Sequence, residues 1–164
     1  MRVKKTAEYN LRKKRSLLIF VGGEREQLLT AENSHKIYLK HRKGFVSLAL
    51  SHGVPIVPCY CFGENEVYHT SDFFLEYRLW LQKKTKIALT IIWGRFWYAP
   101  WFPVKVKMGI ELGKPIEIKK LDKDAITAKD VDDLHDKFVL EMTRLFERTK
   151  HKYGVPKDVT LQID

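Results

Sequence analysis

The sequence predicts an α/β domain, a mixed and partly parallel sheet with helices packed on it. Three patterns lead there. Apolar runs of strand length at residues 17–21 and 55–62 flank a helix-like segment at 42–52, and strand, helix and strand of these lengths read as a βαβ unit with a right-handed crossover. From 104 to 112 apolar residues recur at every second position (Val104, Val106, Met108, Ile110, Leu112), as in a half-buried strand. Val131, Leu134, Phe138, Met142, Leu145 and Phe146 share one helical face.

Taken in order, residues 6–13 suit a short helix, and the run at 17–21 ends at Gly22-Gly23, the mark of a sharp turn or a close backbone approach. Residues 24–30 open a helix, and 31–34 are loop-like. The helix at 42–52 has Phe45, Val46, Leu48 and Ala49 on or beside its apolar face and stops at Gly53. The strand at 55–62 tolerates prolines near its start and gives way to a turn at 63–66. An aromatic helix follows at 72–84, then a strand at 86–93, then a Trp- and Tyr-rich stretch at 96–102 broken by Pro100. The alternating strand resumes past Gly113 at 115–118. The last helix carries Asp130, Asp132 and Asp133 at its start and Arg148, Lys150, His151 and Lys152 at its end, matching the helix dipole, and Gly154 and Pro156 terminate it. No repeat or low-complexity linker divides the chain. It reads as one domain or one piece of a larger one.

Composition narrows the function. The chain has 164 residues, 45% of them hydrophobic and 12% aromatic, enough for a real core and too many for intrinsic disorder. Its net charge of +10 is concentrated: residues 1–15 carry seven basic side chains against one acid, Glu8. A solvated helix face explains that cluster most simply; attraction to acidic lipid comes second and nucleic acid third. The aromatic stretch at 93–102 holds a single basic residue, Arg95, whereas single-strand nucleic-acid grooves interleave cations with stacking rings, so no nucleic-acid partner is expected. Cys59 and Cys61 lie two apart on a strand, face the same way, and read as buried structural thiols. No run approaches the roughly 20 apolar residues of a membrane span, and the basic start is followed by no signal-peptide core.

Three segments carry the chemistry: Val21-Gly-Gly-Glu-Arg-Glu-Gln-Leu28, Tyr38-Leu-Lys-His-Arg-Lys-Gly-Phe-Val-Ser-Leu-Ala-Leu50, and Val54-Pro-Ile-Val-Pro-Cys-Tyr-Cys-Phe-Gly-Glu-Asn-Glu66. Gly22 and Gly23 at a strand end let backbone N–H groups approach a substrate oxygen, and Glu26 can orient a donor or a base; a plain turn with a solvated acid is the simpler reading. Arg42, Lys43, Gly44 and Phe45 at a helix start could hold phosphates through charge and free N–H groups, although basic helix ends are commonplace. Glu64 and Asn65 sit beyond the carboxyl end of a strand, where open α/β sheets place ligands, and would equally suit an Asx-type turn.

In their order and spacing these segments resemble the diacylglycerol acyltransferase type 2 and monoacylglycerol acyltransferase family. Gly94-Arg95, the strand at 109–118, and Leu134-His135 through Lys152-Tyr-Gly-Val-Pro156 extend the resemblance over nearly the whole chain. Glu24 and Arg25 depart from a pattern in which Ala is commoner. The resemblance implies the glycerolipid acyltransferase fold, incomplete at its amino terminus, with this chain as the carboxyl-terminal portion of a catalytic domain. It implies transfer from acyl-coenzyme A to a neutral lipid alcohol, diacylglycerol first and monoacylglycerol or a fatty alcohol as alternatives, at the cytosolic face of the endoplasmic reticulum membrane; the rival class is a non-catalytic membrane-surface or nucleic-acid binding module. Gly22, Gly23, Glu26, Arg42, Lys43, Gly44, Phe45, Glu64, Asn65, Gly94 and Arg95 become substrate-site candidates. No cofactor is expected besides the acyl-coenzyme A co-substrate. Its partners would be a membrane surface and the missing amino-terminal part of the same enzyme.

Acyl transfer to an alcohol needs a base for the hydroxyl proton. The family's base is expected from a His-Pro-His-Gly motif upstream of the matched segments, and these 164 residues contain no such motif. His35, His41, His52, His69, His135 and His151 read instead as surface, helix-end or packed histidines. No catalytic residue is assigned.

Overall fold

The computed structural model describes residues 2–32 and 34–164, so the predicted loop at 31–34 includes one residue, Asn33, outside that description. Among the described residues five α-helices run in the order α1 (Arg2–Arg12), α2 (Gly23–Leu29), α3 (Gly44–His52), α4 (Leu75–Thr85) and α5 (Ala128–Thr149). Six short strands are interleaved with them: β1 (Lys36–Ile37), β2 (Cys59–Phe62), β3 (His69–Ser71), β4 (Ile91–Trp93), β5 (Gly109–Leu112) and β6 (Gln162–Ile163). Among the described residues these form three two-stranded sheets. β1 and β6 run parallel, whereas β2 with β5 and β3 with β4 are antiparallel. The class is α/β with a parallel component, as predicted.

The parallel pairing arises elsewhere than expected. Residues 17–21 form no strand: Leu18 is 74% exposed and Phe20 84% exposed, so the anticipated βαβ unit is absent. An apolar run of the right length becomes a strand only when another strand offers its ladder groups, and the ladder partner of β2 is β5 rather than this run. The parallel pair instead joins Lys36 to Gln162 and Ile37 to Ile163, two residues a side, too short to leave a periodic trace in sequence.

The helices were more readable. α3 ends where Gly53 takes a left-handed φ of 63° and donates its N–H to Ala49 O, a conformation glycine adopts without steric cost. α5 begins with a capping box: the Thr127 hydroxyl accepts from Asp130 N–H, and the Asp130 carboxylate accepts from Thr127 N–H at 2.9 Å. Phe138, Met142, Leu145 and Phe146 are buried as the stripe predicts, against Tyr60 and Phe62 of β2, Leu39, Ile116 and Leu161. Phe62 stacks on Tyr153 at 4.5 Å and Tyr60 meets Phe146 edge-on at 5.2 Å, aromatic arrangements favourable beyond their area.

The strand at 104–112 is corrected in length and in face. Only Gly109–Leu112 pairs, and Ile110 and Leu112 point outward, Ile110 67% exposed, while Glu111 turns inward. Register decides this. Tyr60 lies opposite Glu111 and Phe62 opposite Gly109, on the side covered by α5, and a Cβ on Gly109 would collide with the Tyr153 ring. Glu111 accepts from the Tyr153 hydroxyl and from Lys152 Nζ, both at 3.0 Å. The lysine, with the tyrosine hydroxyl behind it, holds the carboxyl below its ordinary range. Cys59 and Cys61 share the outer face with Leu112 and Ile110. They are half-buried rather than buried, and desolvation raises both thiols, which keeps them protonated.

Candidate functional site

The candidates from the first two segments converge. Gly22 precedes α2 with a helical backbone, so its requirement is space: a Cβ there would sit on the Glu26 carboxylate. Glu26 folds back over that gap and accepts a 2.6 Å hydrogen bond from Tyr38 N–H, fastening α2 to the chain leaving β1. Arg42 donates to Gly22 O at 3.4 Å and lays its guanidinium over the Tyr38 ring at 5.3 Å. Gly23, at φ 67°, adjoins the same guanidinium. Gly22, Gly23, Glu26 and Arg42 thus form one cluster built on Tyr38, which the sequence reading did not single out. The side chains of Glu24 and Arg25, the two departures from the expected pattern, lie outside what the structure describes.

Lys43, Gly44 and Phe45 take a different part. Lys43 Nζ pairs with Asp132 at 2.7 Å, and Phe45 meets Phe138 edge-on at 5.0 Å, so both bind the start of α3 to α5. Gly44 opens the helix with nothing within 4 Å of a would-be Cβ.

Glu64 and Asn65 fall in a 3-10 turn (Glu64–Glu66) directly after β2. Asn65 Nδ2 donates to Ser34 O at 2.6 Å. Burial pushes the Tyr60 hydroxyl far up, and the Glu26 and Glu64 carboxylates add to the effect. Beside it, His35 is buried and shares a 3.0 Å hydrogen bond with that hydroxyl. Desolvation lowers the His35 pKa, with Glu66 opposing and Lys150 reinforcing. The neutral imidazole and protonated phenol form a packed polar pair under the turn.

Among the described residues no hydrogen bond brings Gly94 and Arg95 to the Gly22 cluster. Gly94 N–H donates to Pro100 O at 2.7 Å and Arg95 N–H to Phe102 O at 2.8 Å, closing the aromatic loop on itself. A Cβ on Gly94 would overlap the Phe102 carbonyl. The rings so presented face solvent: Trp97 is 89% exposed, and Tyr98, Trp101 and Phe102 are exposed too. Phe73, Phe74, Tyr77 and Trp80 at the entry to α4 and along it are likewise exposed. Arg78 is only 6% exposed and donates to Ser71 O and Leu89 O, tying α4 to the antiparallel β3–β4 pair that it connects.

Of the remaining histidines, His69 hydrogen-bonds Glu32, His135 engages Leu39 O at 3.1 Å, and His52 engages Leu48 O at 3.0 Å. Glu32 and His69 stand 37 positions apart, and no sequence spacing announces them. Among the described residues no group of three His, Cys, Asp or Glu side chains could hold a metal ion, and no helix is long and apolar enough to cross a membrane.

The acyltransferase relationship suggested by the ordered motifs is borne out by comparison with known proteins. The family model described as diacylglycerol acyltransferase matches residues 2–164. The chain belongs to the diacylglycerol acyltransferase family. It is 36% identical to mouse diacylglycerol O-acyltransferase 2 over 97% of its own length and 44% of that protein. It is 33% identical to diacylglycerol O-acyltransferase 1 of Saccharomyces cerevisiae over 98% of its length and 40% of that protein. With human 2-acylglycerol O-acyltransferase 3 it shares 33% identity over 89% of its length and 45% of that protein. The chain therefore spans somewhat under half the length of these curated relatives. No solved structure matches it.

Proposed function

We propose that this chain forms the donor-binding part of an acyl-coenzyme A-dependent O-acyltransferase of neutral glycerolipids, with diacylglycerol as acceptor and triacylglycerol as product. The observation that carries this reading is the family match across residues 2–164, the first two of whose motif segments meet at Gly22, Glu26 and Arg42. Arg42 offers a guanidinium for donor phosphates, and the Glu26 carboxylate, folded over Gly22, holds the turn beside it in place. The acceptor named for two of the relatives above is diacylglycerol, while 2-acylglycerol is named for the third, and that keeps monoacylglycerol as the alternative acceptor. No further cofactor is invoked. The exposed aromatic segments supply contact with the endoplasmic reticulum membrane from its cytosolic side, because Trp and Tyr favour the interfacial layer.

No base is drawn from the six histidines present. Without one the transfer forfeits about 10²–10⁴-fold, and lost orientation compounds the deficit. The test supplies labelled oleoyl-coenzyme A and diacylglycerol to this chain alone and then together with the amino-terminal half of a related enzyme containing His-Pro-His-Gly. Turnover only in the second arm is expected. Robust turnover by the chain alone, abolished by replacing one of its own histidines, would overturn the base assignment, and no turnover in either arm would overturn the reading as a whole.

A further inference from the structure

A pocket of about 290 Å³ opens between the connection from β1 to α3 and the end of α4. Tyr38, His41 and Arg42 form one wall, and Gln82, Lys83 and Lys86 the other. Three basic side chains, Arg42, Lys83 and Lys86, thus converge from two separate parts of the chain. None of the three is neutralised within the described residues: no ion pair reaches Arg42, Lys83 or Lys86, and no carboxylate lines the pocket. The two neighbouring lysines are otherwise engaged, Lys43 with Asp132 and Lys84 above the Trp80 ring at 4.2 Å. Lys86 is set in place by a left-handed backbone, φ 59°, with its N–H donated to Gln82 O at 2.9 Å. Lysines at a helix end complement the dipole, but that accounts equally for Lys83, Lys84 and Lys86 and not for the choice of two of them to face Arg42.

Unneutralised like charges at one concavity repel each other and are relieved by an anion of matching multiplicity. The lining is polar and the volume small, which suits clustered phosphates and not an acyl chain or a neutral lipid. We infer that this pocket binds a ligand bearing clustered phosphates, held by Arg42 from one side and by Lys83 and Lys86 from the other. Naming that ligand as the coenzyme A end of the acyl donor rests on the acyltransferase reading; a polyphosphorylated lipid headgroup presents the same chemistry.

The purified chain is titrated with coenzyme A and with pyrophosphate at low and raised salt, and in parallel sedimented with phosphatidylcholine vesicles with and without phosphatidylinositol bisphosphate. Both soluble probes should bind saturably, compete with each other and weaken as salt is added. Lys83→Gln with Lys86→Gln should weaken both by roughly tenfold or more, while Lys83→Arg with Lys86→Arg retains binding. Lys84→Gln removes one charge a position away and should change either affinity by less than about twofold. Coenzyme A and pyrophosphate binding that ignores Lys83 and Lys86, with vesicle binding that ignores them too, overturns the pocket, as does an equal loss in Lys84→Gln. If only the vesicle arm responds to the two lysines, the pocket stands and its phosphates belong to a lipid. Failure of the complementation assay would leave these binding results untouched, so the two readings fail separately.

Discussion

Single residues here are fixed by what they touch rather than by their type. Glycines 22 and 94 are required for space, one over the Glu26 carboxylate and the other over the Phe102 carbonyl. Sequence alone flags a glycine without saying which neighbour claims the room. His35 is the most consequential case, because it is buried against Tyr60 with its pKa depressed below the ordinary 6.5. Above that value it is neutral in both folded and unfolded chains. As pH falls through 6.5 the unfolded chain takes up a proton that the folded one refuses, so stability declines until the pH passes the folded pKa. His35→Gln, which keeps a partner for the Tyr60 hydroxyl and does not titrate, should flatten the pH dependence of the urea midpoint between about pH 7 and pH 5. Identical slopes for the two proteins would count against the assignment.

Among the elements, α5 is the best specified, since its stripe, its acidic start, its basic end and its stop signals all agree. Its N-terminus has an added anchor in Thr127, whose hydroxyl and N–H both contact Asp130. Thr127→Ala should lower unfolding stability by about 1 kcal/mol, and Thr127→Ser by much less, as read from denaturant midpoints at constant slope. β5 shows the opposite situation. Its alternation is legible, but the inward side is chosen by a register in which Tyr60 meets Glu111 and Phe62 meets Gly109, and a shift of one residue would reverse it.

Across the whole molecule, α5 closes a core of Tyr60, Phe62, Phe138, Met142, Leu145 and Phe146, yet large aromatics from α4 and the loop at 96–102 stay outside it. Scattered exposed apolar residues are ordinary on a protein surface, whereas these rings concentrate in two segments on either side of β4, which suits the membrane contact proposed above. Lys84 adjoins one of them and Arg95 the other. Trp97→Ser with Trp101→Ser should reduce co-sedimentation with phospholipid vesicles by at least roughly tenfold while leaving the circular dichroism spectrum and melting temperature near those of the parent. Undiminished vesicle binding by the folded variant would show that another surface carries the contact.

The sequence by itself determined the α/β class, the helices and their stops, the family, and the motif residues Gly22, Gly23, Glu26 and Arg42. Each of these is written in local spacing or in ordered short motifs. Tertiary structure alone decided that residues 17–21 would stay unpaired, that the parallel ladder would join β1 to β6, and that Ile110 would face outward. It alone turned Lys43 toward Asp132 and brought Lys83 and Lys86 opposite Arg42. The reason is physical: a ladder, a buried face and a convergence of charges are each properties of two segments at once, and the spacing within either segment does not encode where the other will lie.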